Sequence, residues 1–277
     1  MTAPPHLVPP HLVPPHLVPP HLAAGAPVDL DISAYALRLG DDALVLAQQL
    51  CTWAARAPEL EQDVALLNLA LDLLGQARSL LTYAGSREGR GRTEDDLAFL
   101  RDEPDFVNAL LMEVDGGDFA RTMARQLYAS THAVLLWSAL RECADEQLAG
   151  IAGKAAKEAA YHLDHARSWV VRLGDGTAES AQRMQAGLDE LWPYTFELFE
   201  TDPLVSRLAA RGVAADPALL EPPWHSIVSE VVGEATLRPP ESTWRPTGGR
   251  SGRHTEGFGY LLAQMQHVHR SHPGASW

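Results

Sequence analysis

Residues 58–81 have the sequence PELEQDVALLNLALDLLGQARSLL, in which large aliphatic side chains recur every three or four positions. The recurring positions are Val64, Leu67, Leu71, Leu74 and Leu81. Because an α-helix completes a turn every 3.6 residues, these side chains form one narrow stripe along a helix. A proline at its start suits the first turn of such a helix. We therefore predict a long helix that packs on other helices of the chain through this stripe.

Helical patterns fill most of the remaining chain, and no segment shows the alternation of period two that is typical of strands. The predicted helices cover residues 34–55, 93–100, 118–144, 146–173, a segment that starts near 177, 224–237 and 255–270. Pro193 is expected to kink or end the helix that starts near 177, since proline breaks a helix interior. The sequence therefore predicts an all-α protein, a bundle of long helices followed by additional C-terminal helices.

The charge and the cysteine content of the chain indicate which binding partners and which cellular compartment to expect. The chain has 22 Lys and Arg against 36 Asp and Glu, and its formal net charge of −14 repels nucleic acid and anionic lipid surfaces. We see neither a run of about 18 uncharged apolar residues nor a basic segment followed by an apolar one, so neither a membrane span nor a secretory signal is predicted. Cys51 and Cys143 match no redox or metal motif. We expect a cytoplasmic protein without nucleic-acid or membrane partners.

The N-terminal segment has a different composition. Residues 4–22 repeat the motif Pro-Pro-His-Leu-Val, and their prolines withhold backbone donors from any helix or sheet. We predict a disordered tail over residues 1–30 and one helical domain over residues 31–277. The evenly spaced histidines of the tail could chelate a metal, but the entropy lost on ordering a flexible segment opposes this.

The helix predicted over residues 146–173 carries ligand-type residues on its inward stripe. The members of this stripe are Leu148, Ile151, Ala155, Glu158, His162, His165 and Trp169. Buried ionisable groups are costly unless they are paired or bind a metal. One interpretation is a metal site in the bundle core. The other, which we favour, is a hydrogen-bonded polar cluster that fixes helix register, with Gln76 or Arg78 as partners from the facing helix.

Di-iron bundles of the ferritin-like class take a Glu-x-x-His pair from each of two helices, and this chain contains no such pair. His162 is retained, but Ala159 stands at the carboxylate position before it. On the facing helix Leu73 and Gln76 stand at the Glu and His positions. Iron takes carboxylate and imidazole ligands, which aliphatic and amide side chains cannot replace. The sequence therefore predicts degenerate metal positions and no cofactor in this chain.

Residues 238–254 are rich in arginine and glycine and precede a predicted helix start at Thr255. Arg250, Arg253 and His254 lie close to this start, where backbone amides can bind phosphate. The segment could contact a CoA phosphate, dock on an acidic surface of a partner, or only connect two helices. We predict no catalytic residue, because no serine or cysteine nucleophile with a nearby base can be identified.

Several long blocks between Tyr35 and Trp277 resemble the structural subunits of ring 1,2-phenylacetyl-CoA epoxidases, a family of phenylacetate degradation. The blocks are LRLGDDALVLAQQL (37–50), APELEQDVALLNLALDLLGQARSLLTYAG (57–85), LAFLRDE (97–103), KEAAYHLDHARSWVVRLGDGT (157–177) and TGGRSGRHTEGFGYLLAQMQ (247–266). The resemblance implies a ferritin-like helical bundle with additional C-terminal helices. It also implies a structural role, without an active site of its own, in an oxygen- and NADPH-dependent epoxidase complex.

In this family a sister subunit is expected to hold the di-iron centre and to epoxidise the aromatic ring of the CoA thioester. Reductase and small accessory subunits are expected to deliver electrons. Two alternatives stay open. One is an autonomous di-iron or di-manganese oxidase with an unfamiliar ligand set, formed by Glu158, His162, His165 and His132. The other is an acyl-CoA-binding module that uses Arg250 and Arg253.

Overall fold

The computed structural model describes residues 29–275, and helices make up most of this part. The helices are α1 (Leu30–Cys51), α2 (Leu60–Glu88), α3 (Glu94–Phe99), α4 (Leu110–Glu113), α5 (Phe119–Leu140), α6 (Glu146–Gly174), α7 (Ala178–Leu191), α8 (Pro203–Ala210), α9 (Pro217–Glu234) and α10 (Phe258–Ser271). Residues 29–275 contain no strand, so the predicted all-α fold is confirmed. Apart from Asp29 and Leu30, which cap and open α1, the predicted tail of residues 1–30 lies outside the described residues.

Short polar side chains define where the long helices begin. Asp29, Asp118 and Asp145 each accept a hydrogen bond from a backbone N–H in the first turn of α1, α5 and α6. Thr177 does the same for α7. Such caps satisfy amide groups that have no partner within the helix, and each contributes about 1 kcal/mol. The starts of these helices are therefore encoded locally.

Two antiparallel helix pairs form the core. Helix α1 packs on α2 and α5 packs on α6, while α2 and α6 meet along a looser contact. Gly40 lets α1 approach α2 closely, because a Cβ at this position would lie 2.8 Å from a methyl carbon of Leu81. Leu50, Leu66 and Leu80 are fully buried in this layer. The residues predicted as degenerate metal positions lie on α2 and α6, Leu73 and Gln76 on α2 and Ala159 and His162 on α6.

The apolar stripe predicted on residues 58–81 packs inside the chain at its last member, Leu81, which is buried against Gly40, but the prediction is wrong for most of its length. Val64, Leu71 and Leu74 are 54%, 64% and 39% exposed. The buried face of α2 is formed by other residues, among them Leu66, Leu69, Leu73 and Leu80. Helix α2 thus has apolar side chains on two faces. By length and composition alone, it is the one helix among residues 29–275 that could cross a membrane.

The C-terminal helices form an additional layer. Pro193 lies just after the end of α7, as predicted, in a 3-10 segment over Trp192–Phe199. Helix α9 begins at Pro217, earlier than the predicted residue 224. Trp224 on α9 is fully buried, donates its indole N–H to the carbonyl of Tyr128 at 3.0 Å, and packs its ring on that of Trp192 at 5.5 Å. This aromatic group joins the layer to α5.

Candidate functional site

The residues predicted as degenerate metal positions lie on α2 and α6. Leu73 on α2 and Ala159 on α6 are buried and present only aliphatic carbon. Gln76 is also buried, and its amide nitrogen donates a hydrogen bond of 2.9 Å to Oε2 of Glu158 on α6. The amide and the carboxylate are therefore used in a contact between helices.

His162 is held by a second side chain of α2. Its Nε2 lies 3.1 Å from Oδ2 of Asp72, and the imidazole is buried. Burial lowers the pKa of His162, while the hydrogen bond and the charge of Asp72 act in the opposite direction. The neutral imidazole can donate its Nε2–H to the carboxylate, so the pair needs no metal to satisfy it.

His165 forms a third pair. Its Nε2 lies 3.0 Å from Oε1 of Gln62, an oxygen that can only accept. Burial lowers the pKa of His165, and the neighbouring His162 lowers it further. Three hydrogen-bonded pairs thus cross between α2 and α6 in antiparallel order: Gln62 with His165, Asp72 with His162, and Gln76 with Glu158. Arg78, the other partner considered for this cluster, pairs with Glu94 instead.

This donor set does not fit a di-iron centre. A leucine, an alanine and an amide stand at the positions that the sequence pattern predicts for ligands, and iron requires carboxylate and imidazole there. In the part of the chain that the structure describes, no group of three or more His, Cys, Asp or Glu side chains is arranged to hold a metal. His132 lies on α5, and burial lowers its pKa to about 4. The arrangement serves hydrogen bonding between helices.

The arginine- and glycine-rich segment packs onto the bundle through Arg250. Its guanidinium donates hydrogen bonds of 2.7 and 3.0 Å to the carboxylate of Asp42 on α1 and one of 3.0 Å to the carbonyl of Val107. Asp42 also accepts the backbone N–H of Ala109 at 2.8 Å. A bidentate pair of an arginine and a carboxylate is strong, and it fixes the relative orientation of the two side chains. Arg250 is therefore engaged within the chain.

Glu197 fixes the turn before Arg250. Its carboxylate accepts the backbone N–H of Gly248 at 2.9 Å and that of Leu110 at 2.7 Å. Gly249 lies directly against the backbone, because a Cβ at this position would come within 2.3 Å of the carbonyl oxygen of Asn108. The turn thus requires glycine at this point of close approach.

His254 ends the segment in a buried pair. Its Nδ1 lies 2.6 Å from Oε2 of Glu113, and its Nε2 lies 3.0 Å from the carbonyl oxygen of Phe106. Neither side chain of the pair is exposed to solvent. Burial disfavours the charged imidazole, but the hydrogen bond and charge of Glu113 outweigh this and raise the pKa of His254. Because a carbonyl oxygen only accepts, this environment favours an imidazolium that donates from both nitrogens.

Arg253 is the one of the three predicted loop residues that stays exposed. It lines a cavity of about 140 Å³ with Arg38 and His132. Arg38 pairs with Asp202 at 2.6 Å, whereas Arg253 forms no ion pair among the described residues. The structure thus separates the three: Arg250 and His254 are internal supports, and Arg253 is open to solvent.

Sequence reasoning missed the carboxylates that hold this segment, namely Asp42, Glu113 and Glu197. A signal was present, because the acids of LRLGDDALVL (37–46) and ALLMEV (109–114) interrupt apolar runs. An acid inside a buried run needs a partner. Asp41, the neighbour of Asp42, likewise forms a buried ion pair with Arg101.

Comparison with known proteins gives two findings. The model of the family described as phenylacetic acid catabolic protein matches residues 21–277. The chain is 48% identical over 246 residues to a protein of Escherichia coli (strain K12) that is named as a subunit of 1,2-phenylacetyl-CoA epoxidase. The match covers 89% of this chain and 99% of that protein.

Proposed function

Because the chain belongs to the phenylacetic acid catabolic protein family, we propose that it is a subunit of a phenylacetyl-CoA epoxidase and that its role there is structural. The near-complete coverage of a relative named as one subunit of such an enzyme supports the assignment. In this role the chain stabilises the catalytic subunit by burying a helical surface against it. It contributes no active-site residue of its own.

The main support for a structural role is that three polar side chains of α6 are hydrogen-bonded to side chains of α2. Glu158, His162 and His165 each bind a side chain of α2, and none of these side chains points to a shared metal position. Leu73 and Ala159 stand where a catalytic homologue would need carboxylates. The pairs hold α2 on α6 and so stabilise the fold in place of a metal.

The other components follow from the same assignment. A protein named as a subunit implies partner subunits. We assign the di-iron centre and oxygen activation to a catalytic sister subunit, and electron delivery from NADPH to reductase and small accessory subunits. We place the complex in the cytoplasm, without nucleic-acid or membrane partners.

Two alternative functions have less support. An autonomous di-metal oxidase would need Glu158, His162 and His165 to converge with His132, but the first three are paired with α2. A CoA-binding module would use Arg250 and Arg253, but Arg250 is already bound to Asp42.

Metal analysis of purified proteins tests the proposal. Iron is measured in the chain alone, in the catalytic subunit alone, and in the complex of the two. We expect iron in the catalytic subunit and the complex only. About two irons in the isolated chain would contradict the structural role and support the autonomous oxidase.

Two histidine variants test whether His162 of this chain is a ligand of the iron in the complex. His162→Gln removes the retained imidazole, and His225→Gln removes a partly exposed imidazole of α9 as the control. We expect the iron content of the complex to be the same for both variants and the wild type. A loss of iron with His162→Gln alone would mean that this chain supplies a ligand.

A further inference from the structure

Helices α2 and α6 carry an apolar face that the described chain does not cover. We define the α2–α6 face by its exposed members Leu60, Val64, Leu71 and Leu74 on α2 and Tyr161, Lys154 and Lys157 on α6. Other large exposed apolar side chains of residues 29–275 are scattered over α1, α9, α10 and loops. Single exposed apolar residues are normal, but a stripe of them marks an interaction surface.

The periodicity of the stripe indicates what kind of surface covers it. Leu60, Val64, Leu71 and Leu74 recur at helical spacings of three, four and seven, which is the pattern of a helix–helix seam. Within the chain, α2 already uses a different face for α1. A second seam on the same helix is therefore free for a helix of another chain.

Lysines add a charge feature to the same face. The sequence contains two lysines, Lys154 and Lys157, and both lie on α6 one turn apart. Lys154 is close to α2, since its Nζ lies 3.7 Å from the position of a Cβ at Gly75, and it pairs with Glu158 at 3.3 Å. Lys157 is exposed and forms no ion pair among the described residues. In a chain of net charge −14, the face thus offers cations beside an apolar stripe.

The shape of the face suits close approach of a helix. A groove of about 320 Å³ lies between α2 and α6, lined by Gly75 and Ser79 on one side and by Gly150 and Ile151 on the other. At Gly150 and Gly153 a Cβ would meet nothing within 4 Å. Side chains of a partner helix can therefore reach the backbone of α6.

We propose that the α2–α6 face is the docking surface for the catalytic subunit, which lays an amphipathic helix on it. The apolar side of that helix covers Leu60, Val64 and Leu71, and carboxylates at its edge meet Lys154 and Lys157. The inference rests on the proposed function, because that function supplies a partner subunit. The inference identifies the surface to which the partner subunit binds, and the apolar and charged side chains that form the contact.

Two other occupants fit the face less well. Two copies of a chain with a net charge of −14 repel each other, which opposes a homodimer. An anionic membrane surface is repelled for the same reason, and two lysines contribute only about 1 kcal/mol each to lipid attraction. A partner subunit with exposed carboxylates is attracted by the lysines and covers the leucines.

Binding of the catalytic subunit to charge variants tests the proposal. Leu71→Glu places a charge in the centre of the stripe, and Leu219→Glu makes the same change at an exposed leucine of α9 as the control. Because both leucines are exposed, both variants should keep the helical content and melting temperature of the wild type. We expect Leu71→Glu to raise the Kd for the catalytic subunit by roughly 30-fold or more, the effect of losing a central contact, and Leu219→Glu to leave it unchanged. The variant Lys157→Glu, at a lysine that forms no ion pair among the described residues, should also weaken binding and flatten its salt dependence.

The outcomes separate the two proposals. If the wild-type chain itself fails to bind the catalytic subunit, the proposed function is wrong. If the wild type binds and Leu71→Glu binds equally well, the proposed function stands and the α2–α6 face is not the docking surface. The docking proposal is also overturned if the wild type alone sediments as a dimer that Leu71→Glu dissociates. Pelleting of the wild type, but not of Leu71→Glu, with phosphatidylglycerol vesicles would overturn it in favour of a membrane.

Discussion

The imidazole of His254 and the carboxylate of Glu113 lie 2.6 Å apart, and neither side chain is accessible to solvent. The other imidazole nitrogen is 3.0 Å from the carbonyl oxygen of Phe106. The pair joins the start of α10 to the end of α4, two parts of the chain that have no local sequence contact. Hydrogen bonding between polar side chains, and not only shape, therefore holds the C-terminal segment in place.

We expect the stability contributed by His254 to depend on pH. Because Glu113 raises the pKa of His254 in the folded state, the contribution is complete below about 6.5, the pKa of an unfolded histidine. It is lost as the pH rises through the higher folded-state value. The unfolding free energy of His254→Gln should be about 1–3 kcal/mol below that of the wild type at pH 6, and the gap should narrow above neutral pH. Urea denaturation between pH 6 and 9 measures this. A gap that is independent of pH would contradict the assigned charge state.

Removal of Arg250 should destabilise the fold, because it leaves the carboxylate of Asp42, whose side chain is only 14% exposed, without its cation. We expect Arg250→Ala to lower the unfolding free energy by about 3–5 kcal/mol, measured by urea denaturation at pH 7. Arg253→Ala, three residues on and exposed, is the matched control and should change it by less than about 0.5 kcal/mol. Equal effects of the two substitutions would show that the Asp42 pair is unimportant.

The hydrogen bond between Gln76 and Glu158 allows a test of charge repulsion between α2 and α6. Gln76→Glu replaces the donor 2.9 Å from the carboxylate of Glu158 by a second carboxylate. Repulsion should lower the unfolding free energy by about 1–3 kcal/mol at pH 7, and by more than Gln76→Met, which removes the same donor without adding a charge. Thermal melts of the two variants measure this. Equal losses in the two variants would exclude repulsion as the cause.

Gly249 provides a test of close packing. Gly249→Ala puts a methyl group 2.3 Å from the carbonyl oxygen of Asn108, so the segment must shift. We expect the unfolding free energy of this variant, measured by thermal denaturation, to be about 1–3 kcal/mol below that of the wild type. Gly257→Ala is the control, because a Cβ at Gly257 meets nothing within 4 Å. If Gly249→Ala melts like the wild type, the turn has more freedom than its contacts indicate.

The sequence predicted the helices well because their signals are local. The spacing of leucines in residues 58–81, the capping residues and Pro193 all act within a few positions of the chain. What the spacing could not predict is which surface the Val64, Leu71 and Leu74 stripe meets. Periodicity shows that a helix has an apolar face, but a face that packs inside the chain and one that packs on another chain have the same period.

At the candidate site, too, the properties of single residues could be predicted from the sequence, and the contacts between distant residues could not. Ala159, Leu73 and Gln76 could be recognised as unfit for iron from the sequence, because ligand chemistry depends on residue type alone. The acids Asp42 and Glu113 stand out in apolar runs, but the sequence could not identify Arg250 and His254 as their partners, since each pair is separated by more than a hundred residues. Their pairing is a product of the assembled bundle.

The contact between Asp42 and Arg250 also orders events during synthesis. The two residues are 208 positions apart, so a ribosome that adds about 5–20 residues per second makes Asp42 roughly 10–40 s before its cation. During that interval the carboxylate of Asp42 can accept the backbone N–H of Ala109 but lacks its cation. We therefore expect the packing around Asp42 to be completed only when translation is almost finished, and a chain truncated before residue 250 to be a substrate for chaperones and proteases.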